Sequence, residues 1–163
     1  MAVKRILVTG AGTGIGRDAV KALSVLGHTV IATTYSEAQA EQLRQELDAS
    51  VQVFKLDITV AEDREKIADL NLDVLINNAA LGDSGSLAEV DMDRVRKLFE
   101  VNVFSTLALS QIAIKRMVSK GGGTVVFISS LAGRAPMPFL MPYSMTKFAL
   151  SAAAAGLRDE MKV

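Results

Sequence analysis

Tyr143 and Lys147 stand four residues apart just after Pro142, and Ser130 lies thirteen residues before the tyrosine. A helix beginning near Tyr143 puts phenol and ammonium on one face, one turn apart. A tyrosine phenol alone is a poor base near neutral pH, but a neighbouring ammonium favours its ionised form and makes it a usable acid/base. Ser130 offers a hydroxyl that can hydrogen-bond a substrate oxygen as its charge changes, orienting rather than attacking. These residue types at this spacing suit proton transfer.

A second chemical feature lies far upstream. Thr9-Gly10-Ala11-Gly12-Thr13-Gly14-Ile15-Gly16 follows directly on the apolar run Ile6-Leu7-Val8. A strand buried on both faces must turn sharply into a helix there, and only residues without a Cβ let the backbone come close to a pyrophosphate. The helix that starts near Ile15 directs its free N–H groups and positive end at the phosphates. A glycine-rich turn kept for packing alone is the competing account, as are turn or helix-start roles for Ser130, Asn77, Asn78 and Tyr143 taken singly. Jointly these residues favour chemistry, because the elements bring them to one edge.

Those elements alternate. Strand-like Ile6–Thr9, His28–Thr33, Val51–Asp57, Val74–Asn77 and Thr124–Ser129 are separated by helical Gly16–Leu26, Glu37–Leu47, a short Glu62–Leu70 and a long helix over Asp93–Ser119. The rhythm predicts an α/β Rossmann-type doubly wound parallel sheet with helices on both faces, in a single domain over residues 1–163. Ser36 with Gln39 and Thr59 with Glu62 read as capping boxes, Gly27 and Gly121–Gly123 as helix ends, and Ala132–Pro142 as an irregular loop. Ligands in such sheets lie beyond the carboxyl ends of the strands, which here carry Gly10–Gly16, Thr34–Ser36, Asp57, Asn77–Ala80 and Ser129-Ser130.

Composition narrows the function classes. Eighteen basic residues balance eighteen acidic ones, and no stretch combines Lys and Arg with aromatics, so no nucleic-acid partner is expected. Half the residues are hydrophobic, yet no apolar run approaches the roughly 20 residues that cross a bilayer, and Met1–Arg5 leads straight into a strand. No membrane association and a cytoplasmic location are the expectations. The absence of cysteine excludes disulfides and thiol nucleophiles, and a lone His28, placed at a helix-to-strand turn, offers no metal ligand set.

Taken together, these motifs resemble the short-chain dehydrogenase/reductase family in its form with a Thr-Gly-x-x-x-Gly-Ile-Gly turn. The resemblance implies NAD(P) bound by Thr9, Gly10, Gly12, Thr13, Gly14, Ile15 and Gly16, with Thr34 at the ribose, Asp57 and Ile58 at the adenine, and Asn78 and Ala79 after the fourth strand. It implies a catalytic set of Asn102, Ser130, Tyr143 and Lys147. Lys147 would also hold the nicotinamide ribose, and Asn102 would keep a water for a proton relay to Lys147. The implied reaction is reversible hydride transfer between the cofactor and a secondary alcohol or ketone.

Several positions depart from the pattern or qualify it. Dinucleotide-binding units that take NAD place an acid near the end of the second strand, where this chain has Thr34, so NADP(H) is favoured over NAD(H). No Arg or Lys stands at Tyr35, Glu37 is close by, and Arg17 could serve only by folding back. Ala80 occupies a place where the family usually has glycine. The family continues well past the helix carrying Lys147, with two further strands and a substrate-covering segment. The chain is therefore expected to be part of a longer enzyme, its fifth strand an edge.

Leu81, Leu131, Met137, Phe139, Leu140, Met141 and Met145 suggest an apolar pocket for a small alcohol or carbonyl substrate, although the methionines equally suit core packing. Val95, Leu98, Val101 and Leu109 of the long helix, with Ala152–Ala155, are candidates for a homodimer or homotetramer interface or for packing on the sheet. A non-catalytic dinucleotide-binding sensor is the rival reading; the intact Ser130, Tyr143 and Lys147 argue against it.

Overall fold

The computed structural model describes residues 2–162; Met1 and Val163 lie outside the described residues. Five parallel strands form one sheet: β1 (Arg5–Val8), β2 (Thr29–Thr34), β3 (Gln52–Lys55), β4 (Val74–Asn77) and β5 (Thr124–Phe127), in the order β3-β2-β1-β4-β5. Strand order reverses at β1, whose neighbours are β2 and β4, so the crevice for a ligand opens beyond Val8. Six helices cover the sheet: α1 (Gly14–Val25), α2 (Glu37–Glu46), α3 (Ala61–Glu65), α4 (Met92–Phe99), α5 (Thr106–Ser119) and α6 (Met141–Glu160).

Strand side chains alternate between faces, and both faces are buried. Ile6 and Val8 pack with Val30, Ala32 and Val53 under Val20 of α1 and Ala40 and Leu43 of α2. Leu7, Ile31 and Leu75 point the other way, against Leu109, Ala113 and Met117 of α5. This is why the strands read as continuous apolar runs. The β3 edge is blunted: the Arg44 guanidinium donates to Val53 O at 3.2 and 3.3 Å, and Lys66 Nζ reaches Lys55 O at 3.5 Å.

The expected elements all form, with differences that have local causes. The long helix is broken into α4 and α5 by a π-helical turn over Glu100–Ser105, where buried Asn102 is held by groups outside the helix. The short helix stops at Glu65. Ser36 caps α2 by accepting from Gln39 N at 3.3 Å, the first of the two bonds its capping box predicts. The Thr59–Glu62 box does not form: the Thr59 hydroxyl donates to Asp57 Oδ1 at 2.7 Å, and Val60 is the cap residue of α3. The Ala132–Pro142 segment is partly ordered by a 3₁₀ turn, Leu131–Gly133, and α6 begins at Met141, with Pro142 in its first turn.

Val95, Leu98 and Leu109 are buried in the fold, so these candidates for association are used in packing instead. His28 Nδ1 accepts from Lys4 N at 3.3 Å, a structural role at the α1–β2 turn. Among the described residues no group of metal-binding side chains occurs, and no helix is long and apolar enough to cross a membrane.

Two glycines give opposite expectations. Gly10 has a φ of +64°, and a Cβ there would lie 2.7 Å from Ala79 Cα, whereas a Cβ on Gly156 in α6 meets nothing within 4 Å. Gly10→Ala should destabilise by about 2 kcal/mol or more through backbone strain and overlap. Gly156→Ala should stabilise by about 0.5–1 kcal/mol by removing helix-interior glycine. Urea denaturation of both variants checks the pair.

Candidate active site

The glycine turn is held from beneath by the end of β4. Thr9 Oγ1 accepts the N–H groups of Asn78 and Ala79, each at 3.0 Å, and donates to Ile76 O at 3.4 Å. In return Asn78 Nδ2 donates to Thr9 O at 2.9 Å and Gly10 O at 3.0 Å. Thr9 is 1% exposed and its hydroxyl is fully engaged, so it braces the turn and presents no side chain to a ligand. Asn78 likewise uses its amide as a brace. Gly16 permits the approach, since a Cβ there would overlap the Asn78 amide and lie 2.6 Å from Gly10 O.

Above this support the turn is open. Gly14, at φ +54°, has nothing within 4 Å of a would-be Cβ, and Thr13 makes no side-chain cap to α1. The first N–H groups of α1 are therefore available to an anion, and Thr13, Gly14 and Ile15 are exposed beside them. Gly12 sits between this opening and α2, with Gln39 Oε1 3.3 Å from its would-be Cβ. An open, glycine-lined helix N-terminus fits the diphosphate of a dinucleotide.

Farther along the edge, Thr34 differs from its expected place at the ribose. It is 1% exposed and donates its hydroxyl to Ser36 O at 2.9 Å. β2 is covered on both faces to its last residue, so Thr33 and Thr34 are alike buried, and Tyr35, one residue past the strand, is the exposed side chain there, at 68%. Arg17 is turned toward α2, where it pairs with Glu46 at 3.3 Å. Asp57 follows β3 with Oδ1 accepting from Thr59 N and Oγ1 at 2.9 and 2.7 Å. The Ile58 side chain belongs to the core, so only its backbone remains for a ligand.

The candidate proton-transfer residues lie on the β4–β5 side. Lys147 is 2% exposed; its Nζ donates to Ile128 O at 2.8 Å and sits 5.6 Å from the centroid of the Tyr143 ring. The one-turn spacing thus brings ammonium and phenol together as the sequence predicts. Burial holds the Lys147 ammonium below the usual lysine range. Ser130 follows β5, and its Oγ accepts from Ala132 N at 3.1 Å, starting the 3₁₀ turn while its own proton stays free to donate.

Asn102 is fully buried and reaches this group through a relay of side chains. Its Oδ1 accepts from Leu81 N at 2.7 Å, and its Nδ2 donates to Leu81 O at 2.8 Å and Thr146 Oγ1 at 3.1 Å. Thr146 Oγ1 in turn donates to Tyr143 O at 2.7 Å. With its amide so engaged, Asn102 positions the loop after β4 against α6.

Sequence reasoning missed Thr146 and Gly133, and placed Ser129 at the strand end without giving it a role. Ser129 Oγ contacts Lys147 O at 3.2 Å, and a Cβ on Gly133 would lie 2.7 Å from that same oxygen. The available signal was small or hydroxyl residues next to Ser130 and inside the Tyr143–Lys147 turn. Leu81, Leu131, Met137, Phe139 and Met145 are exposed around the site, Phe139 at a φ of +62° with its carbonyl accepting from Gly85 N at 2.8 Å.

Comparison with known proteins identifies relatives of this chain and of its fold. Carbonyl reductase [NADPH] 2 of Sus scrofa is 34% identical, matched over 96% of this chain and 65% of its own length. A short-chain dehydrogenase structure from Streptomyces avermitilis superposes with a TM-score of 0.90 at 34% identity, covering 98% of this chain and 61% of that one. A short-chain dehydrogenase from Escherichia coli CFT073, solved in complex with NADPH, gives 0.86 at 31% identity, covering 98% of this chain and 72% of the other. The chain spans about half to two thirds of the length of the curated relatives it matches. A family model described as short chain dehydrogenase matches residues 4–163. With that match over nearly its whole length, the chain belongs to the short-chain dehydrogenase family.

Proposed function

We propose that this protein catalyses reversible hydride transfer between NADP(H) and a secondary alcohol or ketone, with Tyr143 as the proton donor and acceptor. The observation that carries the reading is the buried Lys147 ammonium against the Tyr143 ring, 5.6 Å from its centroid. A buried ammonium is costly, and holding a ribose would not require it to lie against a phenol ring, whereas proton transfer by that phenol does.

The open turn at Gly12–Ile15 would hold the cofactor diphosphate, Asp57 the adenine and Lys147 the nicotinamide ribose. When bound, the reduced nicotinamide supplies a hydride to the carbonyl carbon. Tyr143 then gives its phenolic proton to the carbonyl oxygen, and the Lys147 charge favours the anion left behind. Ser130 donates a hydrogen bond to that oxygen as negative charge develops on it. In the oxidising direction the same groups act in reverse. Exposed apolar Leu81, Leu131, Phe139 and Met145 favour an apolar substrate.

NADP(H) is favoured because the β2 end offers no carboxylate to repel a 2′-phosphate. The E. coli neighbour's complex with NADPH and the porcine reductase's name support the same choice.

Tyr143→Phe should lower turnover by about 10²–10⁴-fold with little change in NADPH affinity; full turnover would contradict the assigned role. Lys147→Met should also lose turnover yet melt at a higher temperature at pH 7. Burial depresses the Lys147 pKa, so the wild type gains stability as pH rises from that lowered value toward the ordinary one near 10.4, and the variant's advantage should shrink over that interval. Thermal melts from pH 7 to 11 read the difference. Tyr35→Asp should weaken NADPH about tenfold and NADH much less, by setting a carboxylate against the 2′-phosphate. Equal losses for the two cofactors would contradict the ribose assignment.

A further inference from the structure

Asp63 is a carboxylate buried to 5% exposure in α3, outside the set described above. Its Oδ2 accepts the backbone N–H of Asp57 at 2.8 Å and also bonds Lys55 Nζ, while Oδ1 accepts from Lys66 Nζ at 2.6 Å. Burial alone would raise the Asp63 carboxyl, but Lys55, Lys66 and the Asp57 N–H together hold it down at about 2. The next residue, Arg64, donates Nη1 to Ile58 O at 2.8 Å.

Consecutive side chains of one short helix thus grip both ends of a single dipeptide, the N–H of Asp57 and the C=O of Ile58. Asp57 has its own Oδ1 fixed by Thr59, so the turn leaving β3 is tied at its backbone and at its carboxylate. Neutralising two partly exposed lysines needs no buried acid, since surface pairs contribute little. The bond to a backbone N–H does need one, aimed from below the turn.

We propose that Asp63 and Arg64 are positioning residues for the adenine end of the cofactor site, fixing the Asp57–Ile58 backbone so that the Asp57 carboxylate meets the base. The inference rests on the reading of this edge as a dinucleotide site. It deepens that reading, because α3 packs against α5 rather than against α6, the helix that carries Tyr143 and Lys147. Loosening the grip should therefore weaken cofactor binding and leave the chemical step alone.

The test compares wild type, Asp63→Asn, Arg64→Met and Asp63→Glu by titration with NADPH and with adenosine 2′,5′-bisphosphate, which carries the adenine end alone. Turnover at saturating NADPH and hydrogen exchange at the Asp57 amide are followed alongside. Asp63→Asn and Arg64→Met should raise both dissociation constants together by about five- to tenfold, the worth of one oriented hydrogen bond. Saturated turnover should stay within about twofold of wild type, a split that general loosening would not produce. The Asp57 amide should exchange faster in Asp63→Asn, and Asp63→Glu should recover part of the affinity. Folded variants that bind both ligands as tightly as wild type overturn the proposal, as does a fall in saturated turnover with unchanged affinity. Wild type that binds neither ligand overturns the dinucleotide reading itself. Should Asp63→Asn fail to fold, Arg64→Met carries the comparison.

Discussion

Lys147 carries an ammonium group to a site almost closed to solvent, and the arrangement around α6 follows from that constraint. A charge so placed needs a hydrogen-bond acceptor and a polarisable neighbour. Ile128 O and the face of Tyr143 are what the structure provides. A desolvated cation–π contact contributes about 2 kcal/mol and an oriented hydrogen bond to a charged group about the same, against a desolvation cost that still leaves the lysine easier to deprotonate. Holding those partners in register requires the β5 exit to lie tight on the helix. Gly133 lacks the Cβ that would strike Lys147 O, and Ser129 bonds that oxygen.

The other half of the site depends on a similar economy of space. Thr9 and Asn78 are 69 residues apart in sequence but adjacent in the sheet, because β1 pairs with β4. They exchange backbone and side-chain bonds, leaving the glycine turn rigid below and open above. Asn102 carries the same logic to α6: buried at the π-helical turn, it joins the loop after β4 to Thr146 and so to the Tyr143 carbonyl. A cofactor lying across the strand ends would thus rest on parts already fixed to one another, which limits the ordering required on binding.

How much of this was legible in the sequence differs with the range of the interaction. The glycine turn and the Tyr143–Lys147 pair are local patterns whose spacing alone dictates their geometry, and both formed as read. Strand and helix order followed from apolar runs buried on both faces. The π-helical turn was hidden, since its residues keep helical periodicity and only the distant partners of Asn102 make it worthwhile. Thr59 was misjudged as a cap because Asp57, at the end of a strand, competes for its hydroxyl. Thr34 was misjudged because β2 is covered on both faces to its last residue, so the first exposed side chain beyond it is Tyr35. Asp63 gave no sign, as a carboxylate in a charged helical stretch reads as a solvated one until the turn beneath Asp57 is seen.

Every role assigned to these residues requires the strand-end crevice to bind a dinucleotide. Titrating this chain with NADPH and with NADH, followed by nicotinamide fluorescence, asks that directly. Saturable binding of both with NADPH the tighter is the predicted result. No saturable binding of either would contradict the assignment of the glycine turn as a cofactor site in this chain.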